Sequence, residues 1–121
     1  MTVQELTKRI VTSLDKHKAQ DIRVLEVGEV TSLADRFIIA SGTSTTQVKA
    51  LVDYVETDLI QHGIHPQHTE GYTTALWTLQ DYGSVVLHVF LDTSREFYDL
   101  ERLWQDARVL DTAEFLEGEE Q

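Results

Sequence analysis

Trp77-Thr78-Leu79-Gln80-Asp81-Tyr82-Gly83-Ser84-Val85-Val86-Leu87-His88-Val89-Phe90-Leu91 is the stretch that decides the fold. Ala75 to Gln80 reads as one strand, Asp81-Tyr82-Gly83-Ser84 as a turn and Val85 to Leu91 as a second strand. The second run is apolar at nearly every position, as in a central strand covered on both faces. A symmetric loop of two or four residues pairs Gln80 with Val85 and Trp77 with His88. One face of the hairpin then carries Ala75, Trp77, Leu79, Val86, His88 and Phe90. The other carries Leu76, Thr78, Val85, Leu87, Val89 and Leu91. A three-residue loop would spoil this pairing. The second face is plain core, whereas the first mixes large aromatics with a titratable ring.

Upstream, two amphipathic helices supply material for the plain face. Thr2-Val3-Gln4-Glu5 is a capping box, and Val3, Leu6, Ile10 and Leu14 share one side of the helix it opens. That helix is expected to end near residue 17, where Lys16, His17 and Lys18 suit the carbonyl end of the dipole. Ser44 is an N-cap with Gln47 in the box position. Val48, Leu51, Val52, Val55 and Leu59 follow at helical spacing, and Gly63 stops the run. Ile22 to Val27 and Phe37 to Ala40 read as strands, with a connector over 28–35. Residues 64–74 read as an edge strand plus loop. Thr93-Ser94-Arg95-Glu96 reads as a further capping box before a short helix holding Phe97 and Tyr98, with Leu100, Leu103 and Trp104 on a following turn. Of the aromatics, Phe37, Phe90 and Phe97 are expected in the core. The fold class is α/β (α+β), a single domain with a mixed, mostly five-stranded sheet and helices packed on it. The domain is expected to span 1–108, leaving 109–121 as an acidic flexible tail whose last residues, 117–121, fray.

Composition limits the functions open to the chain. One domain of 121 residues, 41% apolar, contains no cysteine, which excludes a disulfide framework, a thiol nucleophile and thiolate metal sites. The net charge of −11 argues against a nucleic-acid binder and favours a basic partner. From residue 92 onward ten acids face three bases, so that quarter alone carries −7. No stretch approaches the ~18 apolar residues of a membrane span. Glu5, Lys8, Arg9 and Asp15 leave no signal-peptide core, so a soluble cytoplasmic protein without membrane contact is expected.

Few residue sets carry chemistry. Ser41-Gly42-Thr43-Ser44-Thr45-Thr46 joins a strand to a helix, where amides and hydroxyls can hold an anion. The favoured reading is an N-cap with polar neighbours, since it lacks the glycine spacing or lysine of nucleotide loops. A nucleotidyl transferase would need paired carboxylates on an adjacent strand to hold magnesium, and neither Phe37–Ala40 nor Val85–Leu91 supplies them. His62, His65 and His68 are broken up by Gly63 and Pro66 and read as loop histidines. No metal, cofactor or catalytic residue is therefore expected. Asp81 is either a turn former or a partner contact. His88 is either a satisfied core residue or the rim of an apolar docking face. Trp77, Tyr98 and Trp104 are of the types that anchor interfaces. With both long helices assigned to the other face, they lack cover. Asp99, Glu101 and Asp106 would ring such a patch.

The segments Ala34–Ser44, Gln47-Val48-Lys49, Glu70-Gly71-Tyr72, Trp77–Phe90 and Arg95-Glu96-Phe97-Tyr98-Asp99-Leu100-Glu101-Arg102-Leu103-Trp104 resemble the ribosomal silencing factor family, also called Iojap-related. The likeness covers about residues 3–108, and the last two segments are its most specific part. It implies a nucleotidyltransferase-like fold without the catalytic carboxylates or the activity. It further implies docking on the large ribosomal subunit, through its interface-side ribosomal protein numbered fourteen. That would block joining of the small subunit and repress translation under nutrient limitation. Organellar relatives act in large-subunit assembly, so an assembly role with the same docking site is the alternative. An enzyme using the Gly42–Thr46 turn is the rival of another class. Family members form homodimers when free. Carried over by position, the docking residues are Trp77, Asp81, His88, Tyr98, Leu100 and Trp104, with Asp99 and Glu101 as acidic companions. Ser84 stands where many relatives have an acid, and the segment after Arg108 matches no family motif.

Overall fold

In the computed structural model, residues 1–116 are described. They form a six-stranded mixed sheet with helices on both faces. The elements in chain order are α1 (Val3–Lys16), β1 (Gln20–Glu26), β2 (Arg36–Gly42), α2 (Thr45–Ile60), β3 (His68–Glu70), β4 (Trp77–Asp81), β5 (Val85–Leu91), α3 (Asp92–Tyr98), α4 (Leu100–Leu103), β6 (Arg108–Leu110) and α5 (Ala113–Leu116). The strand order is β3-β4-β5-β2-β1-β6. The β2–β5 pair at the centre is parallel and the other pairs are antiparallel.

Side-chain alternation separates two cores. Val24, Ile38, Ala40, Val85, Leu87 and Val89 face α1 and α2 and close over Leu6, Ile10, Leu14, Leu51, Val55 and Leu59. Each of the valines, leucines and isoleucines among them, once buried, contributes roughly 1.5–3 kcal/mol. Leu25, Phe37, Ile39, Val86 and Phe90 point the other way, under the thin cover of α3 and α4. The Thr2–Glu5 capping box forms at α1 with both of its bonds. Ser44 caps α2 by accepting from the Gln47 amide. The Gln47 side chain turns instead to Thr43, accepting from its amide at 2.6 Å and its hydroxyl at 2.9 Å.

The hairpin register is offset by two residues from the expected pairing: Trp77 opposes Phe90 and Leu79 opposes His88. The loop is the two-residue Gly83-Ser84, closed by the Tyr82 amide on the Val85 carbonyl at 2.9 Å. Gly83 takes φ +90°, which a primed hairpin turn requires. Because the offset is even, Trp77, Leu79, Val86, His88 and Phe90 stay on one face. Ala75 and Leu76 fall before β4, Ala75 with φ +57°.

Four other expectations are corrected. The sheet has six strands rather than five. The segment expected as a flexible tail from 109 enters the domain: β6 pairs with β1 through Val24–Leu110, and Phe115 of α5 is 0% exposed in the α1 core. The missed signal is a strand of three residues and a helix of four, too short to show a period. Residues 117–121, expected to fray, lie outside the described residues. The Thr93 box does not form, because α3 begins directly after β5 at Asp92 and Thr93 is already inside the helix. Its N-cap, Leu91, has no side-chain bond to give. Finally, Phe97, expected in the core, is 81% exposed, and Arg95 takes the inward position.

Candidate functional site

The thin side of the sheet carries a continuous line of rings. Trp104 at the end of α4 meets Phe37 edge to face at 5.2 Å, and Phe37 meets His88 the same way at 4.8 Å. Trp77 stacks on Phe90 at 5.0 Å and lies 5.1 Å from Tyr98, which meets Phe97 at 5.2 Å. Trp77 and Trp104 are half-buried, Tyr98 is exposed, and Phe97 and Leu103 are 81% and 74% exposed. Two short helices, seven and four residues long, cannot cover what the sixteen-residue α2 covers on the opposite face. Bare aromatic and aliphatic surface of this kind marks an interaction site.

His88 lies under this line, 3% exposed. The Trp77 indole Nε1–H donates to its Nδ1 at 3.1 Å. An indole only donates, so Nδ1 is unprotonated and the ring proton sits on Nε2. That Nε2 is buried without a partner. Burial pushes the imidazole pKa down to about 4, so the ring is neutral at pH 7. His88 is thus a buried, half-satisfied histidine that holds the Trp77 indole from below.

The structure places the remaining expected site residues unevenly. Leu100 is 5% exposed and packs inward beneath the face. Asp99 is exposed at the turn between α3 and α4, with φ +48°. Glu101 is not a free acid. It accepts from Arg95 Nε and Nη2 at 3.3 and 2.9 Å, and Arg23 approaches at 3.5 Å. Burial would raise its carboxyl, but the hydrogen bonds and charge of Arg95, with Arg23 beyond, hold it below the usual carboxylate range. Asp81 sits on the Trp77 side of β4 but at its far end, roughly 13 Å away along the strand. Its carboxylate accepts from the Gly83 amide at 2.7 Å, as a turn-forming aspartate does. Sequence reading missed Phe97, Leu103 and Arg95. Phe97 had a signal in its place beside Tyr98 at the end of a short helix.

The Ser41–Thr46 turn is filled by its own chain. Arg95 Nη1 donates to the Ser41 hydroxyl at 2.9 Å, and Ser44 and Thr43 are engaged with Gln47. A Cβ on Gly42 would lie 3.1 Å from the Val48 amide, so the glycine serves helix-to-strand packing. Among the described residues, no group of three or more histidines, aspartates or glutamates is placed to hold a metal. A groove of about 640 Å³ opens between α1 and α2, on the face opposite the rings and away from the site. Among the described residues, no helix is long and apolar enough to cross a membrane.

Fold and site together define a small α/β domain with a thinly covered aromatic face and a strand-to-helix turn whose Ser41, Thr43 and Ser44 side chains are engaged within the chain. The family described as "Ribosomal silencing factor during starvation" matches residues 1–121. A ribosomal silencing factor from Chromobacterium violaceum is 40% identical over 86% of this chain and 85% of its own length, and one from Bacillus subtilis is 35% identical over 92% and 94%. The mouse protein named "Mitochondrial assembly of ribosomal large subunit protein 1" is 36% identical over 78% of this chain and 43% of its own length. Crystal structures of proteins from Chromobacterium violaceum and Bacillus halodurans superpose with TM-scores of 0.84 and 0.80, at 40% and 34% identity. They cover 87% and 89% of this chain, and 88% and 98% of their own. The chain belongs to the ribosomal silencing factor family. Its named relatives are silencing and assembly factors rather than enzymes.

Proposed function

We propose that this chain is a non-catalytic factor that docks on the large ribosomal subunit. It seats the ring face on the interface-side ribosomal protein numbered fourteen, blocks joining of the small subunit and so represses translation when nutrients are short. The observation that carries this reading is the outer part of that line, exposed Phe97 and Tyr98 with half-buried Trp77 and Trp104, together with exposed Leu103. Aromatics desolvated at the centre of an interface contribute about 2 kcal/mol or more each. Trp77, Tyr98, Phe97 and Trp104 are the contacts, Asp99 is the acidic companion, and His88 and Leu100 support them from beneath. Asp81 acts at the hairpin end. When free, the chain self-associates as a homodimer in competition with docking, and it works in the cytoplasm.

Cosedimentation with isolated large subunits, followed by addition of small subunits, tests the reading. The chain should travel with the large subunit and reduce joining. Trp77→Ala and Tyr98→Ala should each weaken cosedimentation at least tenfold while leaving the circular dichroism spectrum unchanged. Normal binding by both folded variants discards the face. The mouse relative's name favours a second reading, large-subunit assembly through the same docking. Accumulation of immature large subunits in cells lacking the chain during rapid growth would select it. Nucleoside triphosphates with magnesium should give no thermal shift. A shift would revive the enzyme reading.

A further inference from the structure

A buried arginine stands behind the exposed corner. Arg95 of α3 is 9% exposed. Its Nε and Nη2 fork the two oxygens of Glu101 on α4. Its Nη1 donates to the Asp21 carbonyl at 2.6 Å and to the Ser41 hydroxyl at 2.9 Å. Asp21 lies in the bulge of β1, and Ser41 lies near the end of β2. One guanidinium thus ties α3 and α4 to two strands.

Between Arg95 and Glu101 the chain turns at Asp99, whose amide donates to the Arg95 carbonyl at 2.9 Å. Asp99 is left-handed, a conformation that costs an L-residue free energy and persists only when its surroundings impose it. The turn leaves Tyr98 exposed and sends Leu100 inward. Helices of seven and four residues are too short to hold their own orientation. A buried ion pair is a weak source of net stability, but a planar two-pronged one fixes angles well.

We propose that Arg95 is a positioning residue for the docking face: by clamping Glu101 to the Asp21 carbonyl and Ser41, it holds the α3–α4 corner at the angle that sets Phe97 and Tyr98 beside Trp77. This rests on the docking reading above. Arg95→Lys keeps the charge but cannot span all four oxygens, and Arg95→Met keeps the bulk alone. Leu51→Ala, in the core on the opposite face, serves as a control for lost stability. Two quantities are read at 25 °C on the full chain: quenching of the two tryptophans by acrylamide, and affinity for isolated large subunits. Arg95→Met should raise quenching and weaken docking at least tenfold, with Arg95→Lys in between and Leu51→Ala like the parent in both. If Arg95→Met fails to fold at 25 °C, Arg95→Lys and Glu101→Gln carry the same two readouts against the same control. Quenching and docking that change no more than in Leu51→Ala overturn the proposal. Raised quenching in Arg95→Met, with no docking by the parent chain, would remove the docking reading and leave the corner clamp standing.

Discussion

Between pH 7 and pH 5, acid should weaken this fold chiefly through His88; Glu101 and Glu5, whose carboxyls are held below the ordinary range, add their loss in more acid solution. The folded pKa of His88, about 4, lies below the ordinary histidine value near 6.5, so the unfolded chain binds the extra proton first. Stability is therefore fully present above pH 6.5 and falls as pH drops toward 4, by up to about 3 kcal/mol from this group. His88→Phe removes both the titration and the unpaired Nε2–H. Thermal melts at pH 7 and pH 5 should show a smaller drop for the variant than for the parent, and an equal drop would mean His88 is not the sensor. A second residue-scale prediction concerns Gly71, which has φ +76° and lies so close to β4 that a Cβ would sit 2.0 Å from the Trp77 carbonyl oxygen. Gly71→Ala combines that clash with left-handed strain. It should lower unfolding free energy by more than about 2 kcal/mol in urea titration. The strain acts on the residue that begins β4, so tryptophan emission should shift as well. Neither feature was visible beforehand: a sequence places His88 on a face, but does not reveal which of its two nitrogens meets an indole.

At the scale of elements, α5 decides where the domain ends. Phe115 is fully buried against α1, and its carbonyl accepts from the Thr12 hydroxyl at 3.5 Å. Phe115→Ala should cost about 3–5 kcal/mol, as large aromatic truncations in cores do. A truncation at 108 should unfold at lower urea still, since β6 would leave the edge of β1 bare. Equal midpoints for parent and truncation would restore the boundary at 108. The long elements were legible because their physics is local and periodic. Val48, Leu51, Val52, Val55 and Leu59 can share one side only on a helix, and the hairpin kept its faces because the register offset was even. What escaped was tertiary. Thr93 and Glu96 have the letters of a cap, but β5 feeds α3 without a break. Phe97 is more apolar than Arg95, yet the guanidinium goes inward because Glu101, Asp21 and Ser41 satisfy it there. The ring face was legible by subtraction, since both amphipathic helices were already committed to the other side.

At the scale of the whole molecule, exposed acidic charge gathers around the ring face. Among the described residues, α1 and its C-terminal flank carry Lys8, Arg9, Lys16 and Lys18 against Glu5 and Asp15, and α2 on the same side carries Asp53, Glu56 and Asp58 against Lys49, so that side is close to neutral. Asp92, Glu96, Asp99 and Asp106 are exposed around the ring face, while Glu101 is already neutralised by two arginines. A basic docking surface would attract the acidic rim of the ring face, so these charges favour the encounter before any ring is buried. Such steering acts at long range through water and is screened within about 8 Å at physiological salt. The association rate with large subunits should therefore fall at least tenfold between 50 and 500 mM salt, while the dissociation rate, set by the desolvated rings, changes little. Asp99→Asn combined with Asp106→Asn should slow association severalfold at low salt and leave dissociation unaltered. Glu101→Gln should instead raise dissociation, because it loosens the corner rather than the field. Stopped-flow or surface-binding kinetics across salt would separate the two, and a salt effect confined to dissociation would place the charges inside the contact rather than around it.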